Sequence, residues 1–172
     1  SALLISPTGG GKTLAGFLPS LIELADAPPR THPALHTLYI SPLKALATDV
    51  ARNLKTPVEE MGLDLTLETR TGDTSTSRRQ RQRAKPPDIL LTTPEQLALL
   101  VASEHAQRFF ADLRAVIIDE VHAIAQSKRG DLLSLCMATL RNWAPAARHI
   151  GLSATVRDPD ALARWLGPDT PI

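Results

Sequence analysis

The sequence predicts an α/β domain, with a mainly parallel sheet and helices on both faces, and three observations carry that expectation. Short apolar runs of strand length recur, each followed by a segment whose apolar residues fall at helical spacing. A glycine loop, Ser6-Pro7-Thr8-Gly9-Gly10-Gly11-Lys12-Thr13, lies between the first such run and the first such segment. A later run, Ala115-Val116-Ile117-Ile118, ends abruptly in the acidic residues Asp119-Glu120. Strands covered on both faces read as continuous apolar stretches, because neither side meets water.

Taken in order, Ala2-Leu3-Leu4-Ile5 is expected as a buried parallel strand. The following helix carries Leu14, Phe17, Leu18, Leu21, Ile22 and Leu24. His36 to Ile40 reads as the second strand, entered from the loop Pro28-Pro29-Arg30-Thr31-His32-Pro33. Leu43, Leu46, Val50 and Leu54 then predict a helix with one buried face. Leu63 to Thr69 alternates as a half-buried strand does, and a short basic helix follows the cap region Ser75-Thr76-Ser77. Asp88 to Thr93 is the next strand. Pro94 suits the first turn of a helix with Leu97, Leu100 and Val101. After the acidic strand comes a helix with Leu132, Cys136, Leu140 and Trp143 on one side. His149 to Leu152 leads into Ser153-Ala154-Thr155, and Asp158 is placed to cap a last helix with Leu162, Trp165 and Leu166.

The glycine loop carries the first chemistry. A backbone that turns freely between strand and helix points several N–H groups at phosphate oxygens, and the helix N-terminus adds partial positive charge there. Thr8, Gly9, Gly10 and Gly11 would cradle the phosphates. Lys12 can reach the terminal ones, and the Thr13 hydroxyl can ligate magnesium. Ser6 stands where the general pattern has glycine. Asp119, at the carboxyl end of its strand, is placed to hold magnesium through water, and Glu120 to activate the attacking water. Together the two motifs specify nucleoside triphosphate hydrolysis.

Composition bounds the rest. A chain of 172 residues suits one α/β domain with a sizeable core. With 43% hydrophobic and 22% charged residues it is globular, not disordered. A net charge of +1 does not by itself imply nucleic acid, so that signal must come from local patterning. The single cysteine, Cys136, excludes an intrachain disulfide and reads as a core residue. No apolar run approaches the roughly twenty residues that span a bilayer. No basic leader precedes the first strand, so an intracellular location is expected. The abrupt opening and close suggest a piece of a longer protein.

Three more segments fall at carboxyl ends of predicted strands, where open α/β sheets bind ligands. They are Ser41-Pro42-Leu43-Lys44-Ala45-Leu46, Thr71-Gly72-Asp73 and Thr92-Thr93-Pro94-Glu95. Hydroxyls, backbone N–H groups and a lysine suit a sugar-phosphate backbone, which needs point contacts. Each is also a plausible capping turn, and Thr93 before Pro94 is a good N-cap on structural grounds alone. The basic run Arg78-Arg79-Gln80-Arg81-Gln82-Arg83-Ala84-Lys85 reads either as a solvated face or as a phosphate-neutralising helix. No aromatic residues interleave in it for base stacking.

In that order, these motifs resemble those of the first RecA-like domain of superfamily-2 helicases: the glycine loop is similar to motif I, the Ser41 segment to Ia, Thr71-Gly72-Asp73 to the Thr-Gly-Asp segment, the Thr93 segment to Ib, Asp119-Glu120-Val121-His122 to II and Ser153-Ala154-Thr155 to III. The wording resembles the Lhr (large helicase-related) group. Leu38 to Ala47, Glu68 to Asp73 and Pro86 to Leu97 are similar to the ligase-associated DNA-damage-response DEXH-box helicases. His122 sets the chain apart from the Asp-Glu-Ala-Asp subgroup.

The resemblance implies an ATP- and magnesium-dependent helicase or translocase acting on single-stranded or partly duplex DNA, 3′ to 5′, in bacterial DNA repair. RNA is the alternative strand, since backbone contacts serve both. Lys12, Asp119 and Glu120 would be catalytic, and Thr13 and Asp119 would hold the metal. His122 would contact Ser153 or Thr155 and link hydrolysis to the strand edge. Pro42, Lys44, Thr71, Gly72, Asp73, Thr93, Pro94 and Glu95 would form that edge. The resemblance places residues 1–172 as the ATP-binding domain alone. A second RecA-like domain would supply the arginines of motifs IV to VI, and this piece alone is expected to turn over little or no ATP. Association with a DNA ligase, and work at the nucleoid in the bacterial cytoplasm, are implied in the same way. Two other classes stay open: a small phosphotransferase, against which Asp119-Glu120 and Ser153-Ala154-Thr155 argue, and a non-catalytic scaffold, against which intact Lys12, Thr13, Asp119 and Glu120 argue.

Overall fold

The computed structural model describes residues 1–7, 11–28, 30–168 and 170–172. Thr8, Gly9 and Gly10 of the glycine loop lie outside the described residues. Six strands form one all-parallel sheet: β1 (Ala2–Ile5), β2 (Thr37–Ile40), β3 (Leu67–Arg70), β4 (Ile89–Thr92), β5 (Ala115–Ile118) and β6 (Arg148–Ser153). Their order across the sheet is β1-β6-β5-β2-β4-β3. Eight helices are found among the described residues: α1 (Lys12–Asp26), α2 (Lys44–Glu60), α3 (Thr76–Ala84), α4 (Pro94–Val101), α5 (Ala106–Phe110), α6 (Val121–Ile124), α7 (Lys128–Trp143) and α8 (Pro159–Leu166). The mainly parallel sheet of the expectation is wholly parallel.

Two apolar layers hold it. On one face Phe17, Leu21 and Leu24 of α1 and Ala47, Ala51, Leu54 and Val58 of α2 pack on Tyr39, Ile89, Leu91, Ile117 and Leu152. On the other, Leu97, Leu133, Cys136, Met137, Leu140 and Leu166 pack on Leu38, Ile40, Leu90, Val116 and Ile118. Each fully buried Leu, Ile or Phe among them contributes on the order of 1.5–3 kcal/mol. Cys136 is a core residue, as expected. Asp158 caps α8, its Oδ1 accepting from the Ala161 N–H at 2.9 Å.

Some expected faces are turned. β1 is an edge strand paired only with β6, so Leu4 is 37% exposed. On α1 the stripe Leu14, Leu18 and Ile22 faces outward. On α2, Ala47 and Ala51 lie against the sheet, while Leu46 and Val50 flank them and Leu43 is exposed. Small residues allow the close approach, and the larger neighbours are displaced sideways. On α7 the core face runs through Leu133 and Met137, with Leu132 at its margin. β3 is shorter than the alternation predicted, although Leu63 and Leu65 still pack on the first layer.

The amino ends of the strands carry other features. A cleft of about 880 Å³ is lined there by Arg30, Thr66, Pro87 and Asp88 and holds no motif residue of the nucleotide site. Arg30 and Asp88 pair across it at 3.1 Å. His149 on β6 is buried, and its Nδ1 meets no partner among the described residues. Burial, then the nearby Arg141 charge, pushes its pKa down to about 4.

Candidate nucleotide and strand-binding site

Among the described residues, those of the motifs fall at the carboxyl ends of the strands, as parallel topology requires. Gly11, at the N-cap of α1, has φ +72°, a left-handed conformation that strains any side chain. Lys12 is the first residue of α1, and its Nζ donates to the carbonyls of Ser6 at 3.0 Å and Pro7 at 3.4 Å. Thr13, beside it, is half-buried. The Ser6 N–H donates to the Ser153 carbonyl at 3.2 Å, fastening the loop's entry to the end of β6.

Asp119 is buried at the end of β5, its N–H donating to the Ile40 carbonyl of β2 at 2.8 Å. One carboxylate oxygen accepts from the Glu120 N–H at 2.9 Å, the other from the Tyr39 hydroxyl. Glu120 has φ 49° and ψ 44°, and no other non-glycine among the described residues has positive φ. Such a backbone persists only where its surroundings enforce it, and it re-aims the side chain as the strand ends. The Glu120 carboxylate meets His122 Nε2 at 3.3 Å, and His122 Nδ1 lies 3.1 Å from the Ser153 hydroxyl. The histidine thus bridges β5 and β6. Of the two expected partners, the structure gives Ser153; Thr155 is exposed.

The other half of the sheet ends in the turns of the expected strand edge. Lys44 pairs with Asp73 at 2.7 Å, joining the turn after β2 to that after β3, with both side chains largely exposed. Thr71 and Thr74 hydrogen-bond each other's backbone groups around Gly72. Thr93 is the N-cap of α4 and buried, but its side chain makes no capping bond. Pro94 is buried in the first turn, with exposed Glu95 next to it. Glu95 is gripped by Arg129, whose Nε meets Oε1 at 2.6 Å and Nη2 meets Oε2 at 3.1 Å.

The basic run is largely committed to its own fold. Arg78 and Arg81 pair with Glu68 at 3.2 and 2.9 Å. Arg79 donates to the carbonyls of Thr74, Thr71 and Gly72, holding that turn in shape. Gln82 is buried and donates to Glu68 and to the Thr69 carbonyl.

Sequence reasoning missed three residues that shape this site: Tyr39, Arg79 in its clamping role, and Arg129. A signal existed for the first, since the chain's single tyrosine sits inside an otherwise aliphatic strand. The other two act on partners that only the folded chain brings near.

Asp119 and Thr13 offer hard oxygen donors, and among the described residues no group of three or more His, Cys, Asp or Glu side chains forms a metal cage. Magnesium fits such a sparse donor set, because it keeps most of its waters and shares phosphates.

A parallel sheet in this order, with a phosphate loop leaving one strand and an acidic pair leaving another two places along, is that of a RecA-like motor domain. The profile of the DEAD/DEAH box helicases matches residues 1–162. An Lhr helicase/uracil glycosylase from Escherichia coli is 44% identical over 99% of this chain, and an ATP-dependent helicase Lhr-Core from Methanothermobacter thermautotrophicus is 40% identical over 96%. The chain spans only 12% and 20% of those relatives. Among solved structures, Mycobacterium smegmatis helicase Lhr bound to ssDNA and AMP-PNP superposes with a TM-score of 0.87 at 45% identity, covering 99% of this chain and 23% of that one. The helicase MrfA bound to DNA and AMPPNP gives 0.84 at 29% identity, covering 100% and 24%. This chain belongs to the DEAD/DEAH box helicase family, and Lhr helicases are among its close relatives.

Proposed function

We propose that this chain is the ATP-binding domain of a motor that moves along DNA. The observation that carries the reading is the His122 bridge, which joins the hydrolytic carboxylate Glu120 to Ser153 on the neighbouring strand. In this reading Thr8 to Gly11 and Lys12 bind the phosphates, and Thr13 and Asp119 hold magnesium. Bound there, magnesium neutralises charge on the phosphate oxygens. Glu120 accepts a proton from water as its oxygen attacks the terminal phosphorus and the bond to the bridging oxygen breaks. His122, Ser153 and Thr155 relay that step toward the turns at Pro42 and Lys44, Thr71 to Asp73, and Thr93 to Glu95. Those turns follow the strand's backbone. They contain no aromatic residue that could stack on a base.

Two relatives bound to DNA favour DNA over RNA as the strand. A second RecA-like domain, contributed by the same natural polypeptide, supplies the arginines that stabilise charge on the terminal phosphate. Residues 1–172 alone therefore turn over little ATP. The finer reading is a 3′-to-5′ enzyme of bacterial DNA repair, working at the nucleoid and in association with a DNA ligase, and it rests on motif resemblance.

The test is ATP hydrolysis by the full natural polypeptide, with and without single-stranded DNA or RNA, and with Glu120→Gln as control. Stimulation by DNA that is lost in the variant supports the reading. Turnover indifferent to either strand overturns it and returns the phosphotransferase.

A further inference from the structure

Arg129 is the second residue of α7, and its side chain ties together three segments far apart in sequence. Nε and Nη2 form a fork on the two Glu95 oxygens, at 2.6 and 3.1 Å. Nη2 also donates to the Pro42 carbonyl at 2.6 Å. One guanidinium thus fixes the turn after β2 against the first turn of α4.

Its own root is fixed as well. Ser127 caps α7, accepting from the Gly130 N–H at 3.3 Å and donating to the Ile124 carbonyl at 2.7 Å. Gly130 packs so closely that a Cβ would meet the Ile124 oxygen at 2.5 Å and the Ala125 oxygen at 2.8 Å. The backbone therefore runs without slack from the left-handed Glu120, through the single turn of α6, to Arg129.

As a surface ion pair the contact adds little to stability, because water screens exposed charges. Its value is geometric. Three bonds leave one rigid, planar guanidinium, an arrangement that a lysine ammonium cannot reproduce. Burial works to raise the Glu95 carboxyl, but the bonds from Arg129, its own N–H and Thr93 hold it below the ordinary carboxylate range, so the fork stays ionised at neutral pH.

We propose that Arg129 is a positioning residue that sets the spacing of the Pro42 and Glu95 turns and ties both to the helix that follows the catalytic carboxylates. The inference rests on the function proposed above. In it the Glu95 carboxylate shapes the edge for the strand and makes no phosphate contact of its own.

The experiment measures ATP hydrolysis by the full natural polypeptide against the concentration of a single-stranded oligothymidylate. For Arg129→Ala and Arg129→Lys alike, the half-stimulating DNA concentration rises about tenfold while kcat at saturating DNA stays within about twofold. Glu95→Gln shifts the same quantity in the same direction, and the double variant Arg129→Ala/Glu95→Gln goes no further than Arg129→Ala. A wild-type response from Arg129→Lys overturns the proposal, because charge alone would then suffice. So does a fall in kcat with the half-stimulating concentration unmoved. Amide hydrogen exchange gives a readout independent of DNA: in Arg129→Ala, residues 41–44 and 95–97 exchange faster together. Unchanged exchange there overturns the proposal even if the wild type ignores DNA, an outcome that would itself defeat the motor reading instead.

Discussion

The Tyr39 hydroxyl donates a hydrogen bond to the buried Asp119 carboxylate from the neighbouring strand. Burial first, then the Asp119 charge, pushes the phenol far above its ordinary pKa, so Tyr39 remains a donor throughout the working pH range. With the Glu120 N–H on the other oxygen, the carboxylate is held in one orientation. A carboxylate so fixed presents its remaining lone pairs to a metal without reorganisation.

Tyr39→Phe keeps the ring stacked on Phe17, 5.3 Å away between centroids, and removes only the donor. Loss of a hydrogen bond to a buried charged group is expected to cost about 1.5–3 kcal/mol, read as a lowered urea midpoint. The magnesium concentration needed for half-maximal nucleotide hydrolysis should rise several-fold. A stability loss with an unmoved magnesium requirement would reduce Tyr39 to a packing residue.

His122→Ala and Ser153→Ala break the same bridge from opposite ends. Each is expected to lower DNA-stimulated hydrolysis roughly tenfold, and the double variant no further, because residues acting as a unit are not additive. Nucleotide affinity, followed with a fluorescent analogue, should stay within about twofold of wild type. Multiplying losses would show two independent roles.

Gly130→Ala places a methyl group against the backbone oxygens of Ile124 and Ala125, neither of which can rotate away. Overpacking of this kind costs about 1–3 kcal/mol, so the thermal midpoint of the chain should fall by several degrees. An unchanged midpoint would mean that the joint between α6 and α7 is looser than the distances imply.

Acid should weaken the fold in two separate windows. The pKa of His149 is depressed in the folded chain, so the unfolded chain binds more protons below about pH 6.5. Its contribution is fully present above that value and is lost as pH falls toward about 4. The slope approaches about 1.4 kcal/mol per pH unit within that window. His36, depressed chiefly by burial and then by Arg30, acts in the same sense. The carboxyls of Glu23 and Glu95, both lowered, lose their contribution only below the ordinary carboxylate range. Urea midpoints at pH 7.5, 6.0 and 5.0 should therefore decline in the wild type and decline less in His149→Gln. Parallel curves would place the dependence elsewhere.

Local structure was legible in the sequence: the helix that starts at Lys12, the strand that ends before Asp119, the Asp158 cap and the core position of Cys136. These depend on neighbours within a few residues. What stayed illegible was lateral. Tyr39 meets Asp119 because β2 lies beside β5, and that adjacency is a property of strand order, not of periodicity. Helical spacing showed that α1 and α2 carry apolar residues, but not which would touch the sheet. Both stripes are wider than the contact, and the contact on α2 went to the alanines. The basic run stayed open between two readings for a related reason. Its partners, Glu68 and the carbonyls around Gly72, are local in the fold but do not stand out in composition.

The sheet order also says something about birth. β1 leads into the glycine loop, yet among the described residues its only partner strand is β6, the last strand of the sheet to leave the ribosome. The contiguous stretch from β2 to β5 can zip together as soon as it emerges, because each of its strands has a partner within it and only the outer edge of β5 awaits a later strand. The loop's strand must wait until residues 148–153 slide in between it and β5. A chain truncated before them would retain the turns that follow β2, β3 and β4 while leaving β1 without a neighbour in the sheet.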